Sequence, residues 1–313
     1  MQCASENGEM KLAGVLPPIT TPLDADGELD LDGLCHNVQS WGKTGLRGLV
    51  ALGSNGEAAL LNDDESDRVI ATVREHLPDG QVLIAGTARE STSGTVAATR
   101  RAADLGADAV LVRTPSFFKS QMVPEVFIRH YLTVADAAPV PVLLYNFTAV
   151  TGVNLLPATV ARLAEHTNII GVKESGPDLS QVGELIRVTP DEFQVLVGSA
   201  PTFYPSLCLG ATGGILALAG VVPELCIKLF KLTTSGRHME ALDLQRRLTP
   251  LARMVTSSYG VGGLKAAMDI VGYVGGQPRT PLPQIPPKGL EQIRKELELF
   301  TDTEMLHSGG SSE

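Results

Sequence analysis

Aromatic side chains are scarce in this chain. Trp, Tyr and Phe together make up 4% of its 313 residues, so its core is expected to be packed from small aliphatics, as in an ordinary soluble globular enzyme. Positive charge is also short: Lys and Arg number 25 against 35 Asp and Glu, a formal charge of −10. That balance argues against nucleic acid or an anionic membrane as partner, and it obliges any anionic ligand to find a local cationic pocket. Only four cysteines occur, Cys3, Cys35, Cys208 and Cys226, with no C-x-x-C pair. Neither a zinc site nor a redox motif is signalled, and the last three are expected to be buried thiols. No apolar run approaches the ~20 residues of a membrane span. The opening "MQCASENGEM" has no basic or apolar region, so no signal or transit peptide is expected and the cytoplasm is the expected location. The six histidines, His36, His76, His130, His166, His238 and His307, show no ligand spacing, so no metal site is expected.

What the chain does have is a regular alternation. Short runs rich in Val, Ile, Leu and Ala occur at 14–21, 46–53, 81–87, 108–114, 141–146, 168–173, 193–198 and 212–218. Amphipathic stretches lie between them; the one at 64–77 puts Val69, Ile70, Val73 and Leu77 on one face. Asp63 or Asp64, Ser91 or Ser93, and Asp178 or Ser180 stand where helices should begin. Strands apolar throughout belong to a sheet buried on both faces. Eight βα units in a row predict an α/β fold of the (β/α)8 TIM-barrel type. A doubly wound open sheet would often carry a glycine-rich turn after the first strand, and "ITTPLDADG" is not one. After about residue 221 the pattern turns helical only, at 222–235, 238–258, 262–273 and 288–299. The expected division is a barrel over 11–235 and a C-terminal helical extension over 236–300, with disordered tails at 1–10 and 301–313.

In such a barrel the reactive groups sit at the C-terminal ends of the strands. Those ends supply Ser54 and Asn55 in "GSNGE", Arg113 in "VRT", Tyr145 in "LLYN", Lys173 and Ser175 in "VKES", and Gly198 in "VGSA". Tyr145 and Lys173 fall at matching depth on adjacent strands. Burial disfavours the ammonium of a lysine, and a neutral amine attacks a ketone to form a Schiff base. The protonated imine is an electron sink, and a tyrosine beside it can carry a proton to and from a hydroxyl. Taken singly, each signal has a plainer reading: a snorkelling lysine, a core tyrosine, a tight turn. Their agreement on one rim is what points to chemistry.

The motifs "GSNGE", "LLYN…TG", "IIGVKESG" and "VLVGSA", in this order, resemble the pyruvate-dependent Schiff-base aldolases and lyases of the dihydrodipicolinate synthase and N-acetylneuraminate lyase superfamily. The resemblance runs from about Gly14 to Leu282. It implies a barrel with a helical extension, a homotetramer, and no metal or organic cofactor beyond the covalent lysine–keto acid imine. It makes Lys173 the imine-forming lysine and Tyr145 the proton-transfer residue. Ser54 and Asn55 match the pair that holds the pyruvoyl carboxylate, Gly198 a backbone contact to the keto acid, and Ser175 a polar position near the imine.

Within that superfamily the synthases carry two threonines in place of Ser54-Asn55, a tyrosine from a neighbouring subunit at the position of Phe117, and an arginine at that of Val150. Valine for arginine removes a charge-assisted contact worth ~1.5–3 kcal/mol, and phenylalanine passes no proton. The motifs "PPITTP", "EST" and "YGVGGLKAAMDIVGYVGG" look closer to 4-hydroxy-2-oxoglutarate aldolase, which releases pyruvate and glyoxylate. The substrate expected here is therefore a small keto acid, 4-hydroxy-2-oxoglutarate first. Aspartate semialdehyde condensation by a 4-hydroxy-tetrahydrodipicolinate synthase, sugar-acid aldol cleavage, dehydration of a keto-deoxy-glucarate and a non-catalytic keto-acid sensor are the alternatives. For the far carboxylate of a diacid, Arg89 and Arg113 are the candidates, each with a structural ion pair as the plainer role.

Overall fold

The structure, a computed structural model, describes residues 10–300, so most of the two expected tails lies outside the described residues. Eight parallel strands form one sheet: β1 Gly14–Leu16, β2 Gly48–Ala51, β3 Val82–Gly86, β4 Ala109–Arg113, β5 Val142–Asn146, β6 Ile169–Glu174, β7 Gln194–Val197 and β8 Gly213–Ile215. From β2 to β8 each pairs with its sequence neighbour, and β1 pairs with β8. The last gap, between β1 and β2, is closed by a parallel bridge from Pro18 to Val50, with Ile19 N–H donating to the Val50 carbonyl at 2.9 Å. The ring is a (β/α)8 barrel.

The helices that return the chain are α1 Leu31–Gly42, α2 Asp63–His76, α3 Thr92–Asp104, α4 Pro124–Ala137, a short α5 Thr148–Thr151, α6 Pro157–Leu163, α7 Leu179–Val188, α8 Phe203–Cys208 and α9 Pro223–Thr234. Three more follow: α10 His238–Arg253, α11 Gly260–Ile270 and α12 Pro287–Leu297. Proline opens α4, α6, α9 and α12, where its missing N–H costs no bond. The start of α2 is one residue earlier than the acidic pair suggested. Asn62 caps it, accepting from Glu65 N–H while the Glu65 carboxylate takes the Asn62 N–H, a reciprocal capping box. Ser91 and Asp178 cap α3 and α7. The continuous helix expected over 238–258 is α-helical only to Arg253, then widens into a π-turn at Met254–Ser258.

Alternation along the strands sorts the core into two shells. Leu16, Val50, Ile84, Leu111, Leu143, Leu196 and Ile215 fill the inside of the ring. Leu49, Leu83, Val110, Val112, Leu144, Val172 and Val195 face the helices. Gln194 seals the bottom, accepting from Leu12 N–H at 2.6 Å and donating to the Met10 carbonyl at 2.9 Å. The extension is fastened to α1: Asn37 bonds both backbone groups of Val274, and Trp41 stacks on Tyr273 at 5.2 Å. Of the three described cysteines only Cys226 is buried. Cys208, at the end of α8, is exposed and Cys35 half-buried, so the expectation of three buried thiols is corrected by the solvent-facing sides of α8 and α1.

His130 on α4 is buried, its Nδ1 2.9 Å from the Thr92 hydroxyl at the start of α3. Burial lowers its pKa from 6.5 to about 4, against the pull of Glu90. The unfolded chain therefore binds the proton more tightly, and stability contributed by the neutral ring is present above pH 6.5 and lost as pH falls toward 4. Denaturant unfolding at pH 7.5 and pH 5 should differ by about 2 kcal/mol from this group. His130→Gln, which keeps a partner for Thr92, should flatten that slope; an unchanged slope would place the acid sensitivity elsewhere.

Candidate active site

Tyr145 and Lys173 are direct partners in the β5–β6 ladder, and Arg113 is the partner of Tyr145 on the other side. All three strand positions point inward by alternation with Leu144, Val172 and Val112. Lys173 is 3% and Tyr145 4% exposed, and the Lys173 Nζ stands 4.3 Å from the centroid of the tyrosine ring. Among the described residues no carboxylate lies within ion-pair distance of this ammonium. The Tyr145 hydroxyl lies 3.3 Å from Ser54 Oγ. Phe147 stacks beside the tyrosine ring at 6.0 Å.

Ser54 and Asn55 ride on a loop bracketed by two non-glycine residues with left-handed backbones, Leu52 at φ 56° and Glu57 at φ 58°. Each such residue costs roughly 1 kcal/mol or more and is held only where its surroundings insist. At Leu52 the insistence comes from β3: a Cβ on Gly86 would fall 1.9 Å from the Leu52 carbonyl oxygen, so only glycine lets that carbonyl approach. The Asn55 side chain has no hydrogen-bond partner among the described residues and is half-buried, which leaves its amide available. Gly198 sits where a Cβ would meet Ser175 Oγ at 2.0 Å and Lys173 Cε at 3.1 Å. Ser54, Tyr145, Lys173, Ser175 and Gly198 are thus brought together, with Asn55 beside Ser54.

The two arginines sit differently. Arg89 is paired with Asp63 at 2.6 Å. Arg113 is paired with Glu90 at 3.0 Å and donates to the Thr114 carbonyl and Ser116 Oγ. Burial opposes ionisation of Glu90, but the Phe117 and Ser116 amides together with Arg113 outweigh it and hold its carboxyl below the usual range. Phe117 is 77% and Val150 60% exposed. Among the described residues no group of three or more His, Cys, Asp or Glu is placed to hold a metal ion, and no helix of those residues is long and apolar enough to cross a membrane.

Residues 11–299 match the dihydrodipicolinate synthetase family. The chain belongs to that family. It is 37% identical over 292 residues to a 4-hydroxy-tetrahydrodipicolinate synthase of Methanothrix thermoacetophila, covering 92% of this chain and 97% of the relative. It is 36% identical over 288 residues to the enzyme of that name from Methanoculleus marisnigri, covering 91% and 98%. Among solved structures it is similar to the 4-hydroxy-tetrahydrodipicolinate synthase of Methylacidiphilum fumariolicum SolV, with a TM-score of 0.87, 28% identity and coverage of 92% and 95%. It is also similar to YagE, a prophage protein of E. coli K12 in complex with pyruvate, with a TM-score of 0.86, 28% identity and coverage of 92% and 98%. As a member of this family the chain is a carbon–carbon lyase of the lysine Schiff-base class.

A second set of polar residues stands directly behind Tyr145 and Lys173, and reading strand ends for inward groups missed it. Asn146 and Glu174 are the next partners up the β5–β6 ladder and face the helices instead. The Glu174 carboxylate, 2% exposed, accepts from Asn146 Nδ2 at 2.7 Å, Gln181 Nε2 at 2.8 Å and Gly176 N–H at 2.6 Å. Asn154 closes the network between Asn146 and Gln181. The available signal was that both residues fall on the helix-facing beat of strands otherwise apolar there. A buried polar group left without its partner costs ~1–3 kcal/mol, so this network ties the tops of β5 and β6 to each other and to α7.

The close approach at Gly198 is directly testable. In Gly198→Ala the Ser175 hydroxyl can rotate away, but Ser175 Cβ at 2.9 Å and Lys173 Cε at 3.1 Å must shift. The reactivity of Lys173 toward a keto acid, read as borohydride-trapped adduct, should fall at least about tenfold (~1.4 kcal/mol in barrier). Gly183→Ala on α7, whose Cβ meets nothing within 4 Å, should trap normally. Equal trapping by both variants would remove Gly198 from the site.

Proposed function

We propose that Lys173 forms an imine with pyruvate and that the enzyme makes or breaks the carbon–carbon bond at the pyruvyl methyl carbon. The observation that carries this reading is the in-register Tyr145–Lys173 pair, with the amine over the phenol ring and a Cβ-free wall at Gly198. The neutral amine adds to the C2 carbonyl of the keto acid, and loss of water leaves a protonated imine. In cleavage, Tyr145, having given its proton to the hydroxyl that left as water, takes the proton of the C4 hydroxyl; the C3–C4 bond breaks, and its electron pair flows into the imine to give an enamine and a free aldehyde. Protonation at C3 and hydrolysis release pyruvate; condensation is the same sequence reversed. Ser54 Oγ, next to the tyrosine hydroxyl, supports proton passage within one chain, where Phe117 offers none. Ser54, Asn55 and the loop amides are suited to the pyruvoyl carboxylate, and Ser175 to the polar surroundings of the imine.

For the acceptor, the relatives favour the 4-hydroxy-tetrahydrodipicolinate synthase reading, with aspartate semialdehyde as the partner of pyruvate; they bear that name at up to 37% identity. The expectation of 4-hydroxy-2-oxoglutarate draws no support from the names of the relatives given above. It stands as a second reading on one specific observation, the aliphatic Val150 and the aromatic Phe117 at the lip, where a synthase would offer a cation and a phenol. In either case Arg113, level with Tyr145 and with donor hydrogens left over from its bonds to Glu90, Thr114 and Ser116, is the better placed of the two arginines to meet a distal carboxylate.

Borohydride with pyruvate should leave a reduced adduct that peptide mapping places on Lys173, and Lys173→Ala should leave none; an adduct elsewhere, or normal turnover by that variant, ends the proposal. Turnover of pyruvate with aspartate semialdehyde, against pyruvate release from 4-hydroxy-2-oxoglutarate and from 2-keto-3-deoxy sugar acids, decides the acceptor. Keto acid consumed without pyruvate release would mark a dehydratase. In Arg113→Ala the KM for a dicarboxylic substrate should rise about tenfold, the loss of one charge-assisted contact; an unchanged KM removes that role.

A further inference from the structure

The GSNGE loop ends in a buried charge that the chemistry above does not use. Glu57 is 3% exposed and holds a left-handed backbone at φ 58°. Its Oε1 takes the ammonium of Lys265 on α11 at 2.5 Å and nothing else, with both side chains essentially inaccessible. Its Oε2 accepts the backbone N–H of Arg279 at 2.6 Å, from a residue 222 positions away in the chain. Lys265 spends a further hydrogen on the Gln277 carbonyl at 2.6 Å. The Arg279 guanidinium reaches back to the barrel side, pairing with Glu65 at 2.7 Å and donating to the carbonyls of Leu60 and Gly27. The C-terminal extension therefore grips the far end of the loop that carries Ser54 and Asn55, by charges removed from water.

We infer that the extension acts as a positioning device for the substrate-carboxylate loop, with Glu57 and Lys265 as positioning residues that hold Ser54 and Asn55 in their binding pose. Two features make this more than packing. A buried ion pair contributes less to stability than apolar groups of the same shape, so stability alone is a poor reason to retain one. And the pair closes on a residue whose backbone is in the region that side chains disfavour, at the hinge of the loop rather than in a helix. Local turn bonds, such as Gly56 N–H to the Gly53 carbonyl, shape the loop, and Thr21 Oγ1 pins the Gly56 carbonyl at 2.8 Å. Of these contacts, only those of Glu57 reach the extension.

The inference rests on Ser54 and Asn55 as the cradle of the keto acid carboxylate, and the experiment separates the two. Purified full-length protein is assayed for borohydride-trapped adduct against pyruvate concentration, together with its thermal midpoint. Glu57→Gln and Lys265→Met singly strand one buried charge, and both should lower the midpoint sharply. The double variant E57Q/K265M strands none and should recover most of the midpoint. It should nonetheless need about tenfold more pyruvate for half-maximal trapping, with the rate at saturation within about twofold of wild type, because the amine is untouched while the carboxylate cradle is loosened. A double variant that recovers its midpoint and also binds pyruvate like wild type overturns the inference. A wild type that traps no pyruvate overturns instead the reading on which it rests. Should the double variant not fold, Arg279→Ala decides: it keeps the buried pair and loosens only the connector. A two- to threefold higher half-saturation supports the inference, and an unchanged one overturns it.

Discussion

Tyr145 and Lys173 meet because β6 carries one residue more than β5 requires. Val142 pairs with Ile169, but Leu143 pairs with Gly171, so Ile170 is the extra residue of a bulge. Without it, the ladder would set Tyr145 against Val172, and the lysine would stand one step out of level. Side chains alternate with a period of two, so a one-residue slip exchanges the faces of everything above it. The bulge leaves Ile170 in the inner shell and returns Val172 to the helix-facing shell beside Leu144. The amine can then lie over the phenol. The same register carries Asn146 to Glu174, which places the polar lock behind the pair on the outer face.

Charge is removed from water at two places around this pair. Glu174 satisfies three donors behind β5 and β6, and Glu57 meets Lys265 beneath the loop after β2. At Lys265 burial pulls the pKa down against the pull of the Glu57 carboxylate, so the pair is expensive on one side. Polar groups so placed are poor contributors to stability, but they are directional where apolar contacts are not. The apolar shells let the barrel close, and the polar clusters fix which way its rim residues stand.

The barrel was legible in the sequence because both faces of its strands are apolar and the helices between them are amphipathic; those are the two periodicities that burial imposes. The strand lengths were not. The run at 14–21 is strand only over Gly14–Leu16 before Pro17 and Pro18 break the ladder, and the run at 212–218 turns into a 3-10 segment at Ala217–Gly220. Lys173, Tyr145, Ser54, Asn55, Ser175 and Gly198 could be found as departures from apolar pattern at strand ends. The bulge at Ile170 could not, since "NIIGVK" reads equally well in either register. Nor could the partner of Glu57, because an ion pair to a residue as distant in the chain as Lys265 leaves no local mark. Arg89 and Arg113 were legible as rim cations, but their carboxylate partners, Asp63 and Glu90, come from other loops.

This distribution separates two kinds of specificity. The residues proposed to activate a keto acid stand on strand ends or on the loop after β2, where the ring's geometry leaves little freedom. Of the groups proposed to meet a second substrate, Arg113 stands level with Tyr145, while Phe117 and Val150 stand further out, exposed on the segments after β4 and β5. Substitutions there change the lip without disturbing the amine. A chain can thus lose a cation and a phenol at the lip and keep imine chemistry intact, because Ser54 already stands beside the tyrosine hydroxyl from within the same barrel. In the proposed reading the imine chemistry rests on buried side chains, and the choice of acceptor on Arg113 and the exposed lip.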